Sequence, residues 1–402
     1  MVNQETSAPG GRRPAAGAAR PLHQFASGDC DTVIFQSWRE IDPAVWKSLF
    51  SSQCKDCRYY ETAEETLGGQ FQHRYFVFRN QKNETVVQPF FAVSQDLTTG
   101  LPGRLRSPIN WIRKRWPGFL KLRMLMVGCT AAEGQLGSRA PWAVQALQRA
   151  LKETARREKA SILVFKDFPA EYREALSGLT KNGFSRVPSM PGARLEIDCK
   201  DFEEFMQVKL GKVYRKNLRR KFKSSAELGA LTMEVLPDVT PFADEIQSLY
   251  LQTHDRSKLK FEQLTGDYFR MLGQRMPDRT RYFLWRLEGR LVGFALCLVH
   301  GDTLHDLNLG VDYRVALNLH LYFVTFRDVI NWAAANGLKH YVTGPLNYDP
   351  KLHLQLELDP LDIYARHRNP VLNVFFKLAI KYLEPVRYDA VIRKFRNFHE
   401  LY

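Results

Sequence analysis

No stretch of the chain approaches the eighteen consecutive apolar residues that a membrane-spanning helix needs, so a helical integral membrane protein is excluded and a soluble or peripheral one is expected. The N-terminus, MVNQETSAPGGRRPAAGAARP, lacks the apolar core of a secretion signal; rich in Gly, Ala, Pro and Arg, it reads as a flexible tail over 1–27. Cysteine is scarce. The six, at 30, 54, 57, 129, 199 and 297, are scattered in the manner of reduced thiols of a cytosolic protein. Cys54-Lys-Asp-Cys57 has no second pair nearby, whereas a structural zinc site takes four ligands, so no metal is expected. Acidic residues are in deficit, 43 against 58 Lys and Arg, and the formal charge of +15 predicts attraction to polyanions: RNA, anionic lipid or an acidic carrier protein. A disordered chain is excluded by 45% hydrophobic and 12% aromatic residues, and 402 residues suffice for two domains with filled cores.

The most informative stretch is 281–366. TRYFLWRLEG and RLVGFALCLVHGDTLHDLNLGVDYR predict three strands joined by tight turns at Glu288-Gly289 and Gly301-Asp302. An apolar-striped helix follows in NLHLYFVTFRDVINWAAANGLKH, then a short strand (HYVTG), a short helix over NYDPKLHL and a last strand, LDIYARH.

The same order occurs earlier in the chain. HRYFVFRNQKNETVVQPFFAVSQD predicts two strands around a polar turn at Asn80–Asn83, and RMLMVGC a third. PWAVQALQRALKETARRE (141–158) has helical spacing with Pro141 in its first turn, SILVFKDF is a buried strand, EYREALSGLTKNG a helix ending on Gly183, and ARLEID a final strand. This divides the chain into a tail (1–27), a first unit (28–200), a basic linker helix (201–229) and a second unit (230–402). In the linker, Phe202, Phe205, Met206, Leu210, Val213, Leu218 and Phe222 recur near helical period, and eight Lys or Arg fill 209–223. It is either a solvated helix with a basic face or a phosphate-binding surface carrying Arg215, Arg219 and Arg220. The first unit holds an insertion, about 97–122, in which Trp111, Ile112, Trp116, Phe119 and Leu120 interleave with Arg113, Lys114, Arg115, Lys121 and Arg123. It suits a lid packed on its own domain, or a segment at an anionic membrane surface.

The stretch SLYLQTHDRSKLKFEQLTGDYFRML, then LHDLNLGVDYR, LNLHLYFVTFRDVINWAAANGLKHYVTG and LNYDPKLHLQLELDPLDIYARH, resembles the double-GNAT N-acyltransferases. These include the Fem-type peptidoglycan aminoacyltransferases and the CelD-type acyltransferases of polysaccharide gene clusters. The resemblance covers about 200–402, with the first half matching by element order alone. It implies an α/β fold of two tandem GNAT-like domains joined by a basic helix, in which two splayed strands hold an acyl thioester. It implies transfer of an acyl or aminoacyl group to an amine, in cell-envelope or polysaccharide biosynthesis, by a protein that is cytoplasmic or peripheral to the inner membrane. The donor would be acyl-CoA, an acyl carrier protein or aminoacyl-tRNA, as co-substrate rather than tightly bound cofactor. The competing expectation is an inactive GNAT scaffold that binds nucleic acid or an anionic membrane.

One turn departs from the family. CoA-dependent members have a glycine-containing turn whose N–H groups hold the pyrophosphate at a helix N-terminus. Here it reads Arg314-Val-Ala-Leu-Asn318-Leu-His320, without glycine, and side chains would hold the backbone away from a phosphate. Arg314, Asn318 and His320 remain donor-binding candidates, alongside the three linker arginines. The first unit's GCTAAEGQLGSR (128–139) contains glycines and follows a strand, but is a loose match to a phosphate loop. For the chemistry, alternation along Thr303–Gly310 places Asp306 and Asn308 on one face, as base and orienter, or as a hydrogen-bonded surface pair. His305 falls on the other face with Leu307 and Leu309, as a core histidine or a base. Tyr348 and Lys351 match the family's Tyr/Lys segment, for protonating a leaving group and polarising the acyl carbonyl, or for capping the short helix. His254, Asp255, Arg256 and Lys258, in a polar break between two amphipathic helices, and Tyr364 and His367 on the last strand, are the substrate-binding candidates.

Overall fold

A computed structural model gives the architecture, and the structure describes residues 21–26, 30–96, 110–115, 121–257, 260–382 and 384–402. Its frame is two sheets. The first runs β1 (His23–Ala26), β2 (Cys30–Phe35), β3 (Gln72–Asn80), β4 (Thr85–Asp96), β5 (Lys121–Val127), β6 (Ile162–Pro169), β15 (Leu361–His367), β7 (Ser185–Pro188). The second runs β14 (Glu357–Asp359), β8 (Gly192–Glu196), β13 (His340–Thr343), β12 (Thr303–Val311), β11 (Arg290–His300), β10 (Thr280–Leu287), β9 (Leu231–Leu236). The turn between β10 and β11 has positive φ at both Glu288 (51°) and Gly289 (79°), the backbone that matches the twist of a two-residue hairpin.

Each sheet takes its last-but-one strand from the other half of the chain. ARLEID, expected to close the first unit, supplies β8, which pairs antiparallel with β13 and β14 of the second sheet. LDIYARH, expected to close the second unit, supplies β15, which lies between β6 and β7 of the first. A strand's hydrogen bonds are made by its backbone, so its own pattern does not name its neighbours. The exchange carries a buried charge: Asp362 on β15, 1% exposed, accepts from Arg173 (2.7 Å) and Arg186 (2.9 Å) of the first half.

Helices cover the sheets. The first half contributes α1 (Pro43–Ser48), α2 (Cys57–Leu67), α3 (110–115), α4 (Pro141–Arg157), α5 (Arg173–Leu176) and α6 (Gly178–Lys181). The 202–229 linker, expected as one helix, is two, α7 (Phe202–Lys209) and α8 (Lys212–Glu227). Gly211 separates them in extended conformation (φ −66°, ψ 150°). The second half contributes α9 (Ala243–Arg256), α10 (Gly266–Arg275), α11 (Leu321–Ala335), α12 (Tyr348–His353) and α13 (Pro370–Tyr382). One face of the second sheet carries α9 and α10, and the core there is continuous with the first half: Tyr59, Phe71 and Phe91 pack in the same cluster as Ile246, Tyr268 and Phe294. The Tyr59 and Tyr268 hydroxyls meet at 2.7 Å in that core. The opposite face carries α7, α8 and α11, through Phe202, Phe205, Leu218, Phe326 and Ile330.

Candidate active site

Strands β12 and β13 run parallel but pair over only four residues, from Thr303↔His340 to Asp306↔Thr343. Beyond Asp306 the two part, and that side of β12 has no strand partner among the described residues. At the same place β12 contains a bulge: Cys297 of β11 lies opposite Asp306 but Leu296 lies opposite Asn308, leaving Leu307 as the extra residue. The bulge resets the alternation. Cross-strand partners share a face, so Asp306 sides with Cys297 and the α11 face, while Asn308 sides with Leu296 and the α9–α10 face. Asp306 and Asn308, expected together, are therefore on opposite faces.

On the α11 face, Asp306 is half-buried and accepts a 2.6 Å hydrogen bond from the Tyr341 hydroxyl. Burial raises its carboxyl above the usual range, against the opposing pull of Tyr341 and Lys351. Lys351, 4% exposed at the end of α12's first turn, donates to the Gly344 carbonyl at 2.5 Å; burial pushes its ammonium down to about 8, with Asp306 acting the other way. Tyr322, in the first turn of α11, keeps its proton to high pH because of burial and the nearby Asp306 charge. Tyr214 of α8 stacks on His353 at 5.4 Å, and burial, with Asp349, raises its hydroxyl to about 12. Tyr214, Tyr322 and Tyr341 were not singled out in the sequence. The one signal for Tyr341 is an aromatic hydroxyl two residues before Thr343 on the strand that runs parallel to the candidate base.

On the other face, His305 opens into a cavity of about 580 Å³ between the two halves, lined also by Lys55, Glu133, Arg194, Thr343 and Asp359. Lys55 is buried and ion-paired with Glu133. Burial alone would raise Glu133, but Lys55 overrides it and holds the carboxyl well below its ordinary value. Burial and then the Lys55 charge lower His305 to about 4, so its ring is neutral at physiological pH. His305 and Asp306 thus flank the strand opening from opposite sides. Lys55 and Glu133, 78 residues apart, carry no common motif and meet only through the fold.

The glycine-free turn is filled by its own hydrogen bonds. Val315 and Ala316 N–H donate to Asp312 O, Leu319 to Val315 O, His320 to Leu317 O and Leu321 to Ala316 O. Arg314 turns back to the buried Asp312 carboxylate at 2.8 Å. Asn318 is exposed. At the start of α11, however, the basic helix draws near: Lys221 lies 3.7 Å over the Phe323 ring. His320, already lowered by burial, is lowered further by Lys221 and Arg220. Of the linker arginines only Arg220 belongs to this cluster, because Arg215 donates to Gln207 O and Arg219 pairs with Glu203, tying α8 to α7.

The other candidates are dispersed. Tyr348 is buried, and its hydroxyl donates to Pro191 O at 2.8 Å within a separate core formed with Leu358, Val386 and Phe395, so its proton is committed away from the strand opening. Tyr364 and His367, expected in the same cleft as Tyr348, go with β15 into the first sheet, where Tyr364 packs in the core. His254 is tilted on Tyr250 at 5.5 Å beside Asp255, and Arg256 lies 3.9 Å over Tyr313, both at the end of α9. Lys258 lies outside the described residues, as does Trp116 with most of the 97–122 insertion.

The glycines of 128–139 serve packing. A Cβ on Gly134 would lie 2.5 Å from the Phe168 ring, and one on Gly137 only 1.9 Å from Val87 O. Replacing Gly137 with Ala is therefore expected to destabilise the protein by about 1–3 kcal/mol through overpacking against backbone. Urea unfolding would show this as a lower midpoint; an unchanged midpoint would mean the loop is free to shift.

Two mixed sheets of like order, each with a parallel strand pair that opens at a bulge or turn, define two GNAT-like units. Residues 212–351 match the family model described as acetyltransferase (GNAT) domain. Among solved structures, the fold is similar to that of L-PGS from Bacillus licheniformis (TM-score 0.51, 12% identity, covering 85% of this chain and 96% of that one). It is likewise similar to FemX (TM-score 0.50, 13% identity, covering 82% and 96%). No curated protein matches the chain.

Proposed function

We propose that the protein moves an acyl or aminoacyl group from an activated donor to an amine, with donor and acceptor meeting from opposite faces at the β12–β13 opening. The observation that carries this reading is the parting of the strands after Asp306 and Thr343, with a cavity on one face and a tyrosine-lined, cationic approach on the other. The acceptor amine occupies the cavity beside His305, Lys55 and Glu133. The neutral His305 ring takes the proton released as the C–N bond forms. Lys351, protonated and fixed by Gly344, supports the charge developing on the acyl oxygen, and Asp306 with Tyr341 holds that ammonium in its charged form. As the bond to the donor breaks, Tyr322 supplies the proton to the leaving sulfur or oxygen.

The donor's phosphates lie at Arg220, Lys221 and His320 by the head of α11. In the turn before that helix the N–H groups of Arg314, Val315, Ala316, Leu319 and His320 are already taken, and without glycine its side chains hold the backbone away, so phosphate is held here by side chains rather than by a backbone cradle. This favours a bulky polyanionic donor, aminoacyl-tRNA or an acyl carrier protein, over free acyl-CoA. The acceptor in this reading is a cell-envelope or polysaccharide precursor, and peripheral contact with an anionic membrane would bring protein and precursor together.

The test is transfer by the full chain from charged tRNA, acyl carrier protein and CoA thioesters to amine acceptors. Arg220→Ala with Lys221→Ala is expected to raise donor KM about 10-fold or more at low salt, with kcat little changed and a shallower salt dependence. If no donor class supports transfer, or the double variant binds the active donor as well as wild type at every salt concentration, the reading fails.

A further inference from the structure

Helix α13 turns its apolar stripe away from the protein. Val371, Phe375, Leu378 and Tyr382 recur at the i, i+4, i+7, i+11 spacing of one helical face, and all four are 62–68% exposed. Val374 and Leu372 widen the stripe, at 60% and 52% exposed. The face that meets the protein is the lesser one: Asn373 and Ile380 are buried, with Phe376 packed on the core shared by the two halves. Asn373 fixes the orientation, since it donates to Gly183 O and accepts from the His367 N–H, both at 2.8 Å. A soluble monomer gains nothing from six large apolar side chains on one exposed helix.

The surroundings are cationic. Helix α13 contains no acidic residue, and Lys377 and Lys381 have no ion pair among the described residues. Just before it, Arg366 and Arg368 donate to the backbone carbonyls of Asn182 and of Ala155 and Arg156, which leaves their charge unneutralised by any described carboxylate. A second exposed apolar side chain belongs to the excursion that leaves the first sheet at this end. The chain leaves β4 at Asp96 and returns at Lys121 opposite it, Met124 is level with Ile162, and Ile162 with His367, three residues before α13. Within that excursion α3 presents Trp111, 75% exposed, on a segment whose next charged residues are Arg113, Lys114 and Arg115.

We infer that α13 is an interfacial helix that docks this end of the protein on an anionic lipid bilayer. Aliphatic and aromatic side chains enter the headgroup boundary, and Lys377, Lys381, Arg366 and Arg368 face lipid phosphates. This gives a surface to the membrane contact in the proposed function and rests on that part of it, but none of these residues belongs to the β12–β13 opening, so flotation tests it separately from acyl transfer.

Flotation of the full chain with phosphatidylcholine vesicles, with or without about 30 mol % phosphatidylglycerol, tests it. Wild type is expected to float with the anionic vesicles and to partition at least about 10-fold less onto neutral ones at low salt. Phe375→Glu with Leu378→Glu is expected to lower anionic-vesicle binding about 10-fold or more, with the thermal melt unchanged because both side chains are exposed. Lys377→Glu with Lys381→Glu should lose the preference for anionic lipid while leaving binding to neutral vesicles as it was. Wild type that stays unbound with both vesicle types overturns the inference. So does a solution dimer, seen by light scattering, that the Phe375/Leu378 variant dissolves, because a second copy of the chain would then cover the stripe.

Discussion

Replacing Asp306 with Asn is expected to lower acyl transfer by about 100-fold or more, the usual scale for losing a group that governs proton and charge placement at the reacting centre. The reason lies in Lys351. Burial lowers that ammonium to about 8, and Asp306 is the charge that opposes the fall. Without the carboxylate, Lys351 gives up its proton at lower pH still. In the wild type, transfer that depends on a charged Lys351 should fall as pH rises through about 8; in the Asn variant that alkaline limb should move to lower pH. The stability effect has the opposite sign. Because the folded value lies below the ordinary 10.5, the unfolded chain binds more protons between about 8 and 10.5, and Lys351's contribution to stability rises across that window. His305→Gln, on the other face, should also lower kcat while leaving the alkaline limb in place. Wild-type rates in both variants would show that the reaction occurs elsewhere.

The largest expected stability effect is Asp362→Ala, at about 3 kcal/mol or more, read as a lower urea midpoint and a melting temperature lower by several degrees. Asp362 is buried on the exchanged strand β15, and its loss leaves Arg173 and Arg186 without the carboxylate that both face. Each arginine is about a quarter to a third exposed, so water recovers part of the cost and the effect stays near the lower end for a broken buried pair. Both arginines also hold C-terminal carbonyls, Arg173 that of Glu400 and Arg186 that of Tyr402. The C-terminal segment should therefore loosen in the same transition, which amide hydrogen exchange at 398–402 would report. Full protection there in the variant would mean that the exchange is held by strand pairing alone.

Much of the second unit was legible residue by residue. The hairpin turn at Glu288-Gly289 needs positive φ, and the sequence offers a glycine there. The stripe of 321–335 was readable because helices bury one face at a 3.6-residue period. Of the candidate residues, Asp306 and Lys351 do lie on one face beside the strand opening, and their mutual influence appears in both side chains. Asn308 misled because strict alternation holds only for a regular strand, and one extra residue at Leu307 turns everything after it over. Tyr348 misled because a hydroxyl next to a helix start gives no sign of whether it faces a cleft or, as here, Pro191 O in a core.

What the sequence by itself determined is the hairpin strands, the long helices and their order within each half, since these depend on side chains within a few positions of one another. The tertiary structure alone decided that β8 and β15 change places, since backbone hydrogen bonds are alike for every strand and the choice of neighbour rests on packing. It decided that Lys55 and Glu133 meet beside His305, and that Arg220 rather than Arg215 or Arg219 turns towards α11. It also decided which side of α13 is covered. Spacing shows that a helix has an apolar stripe, but only the assembled neighbours show that the stripe of Val371, Phe375, Leu378 and Tyr382 is the side left open.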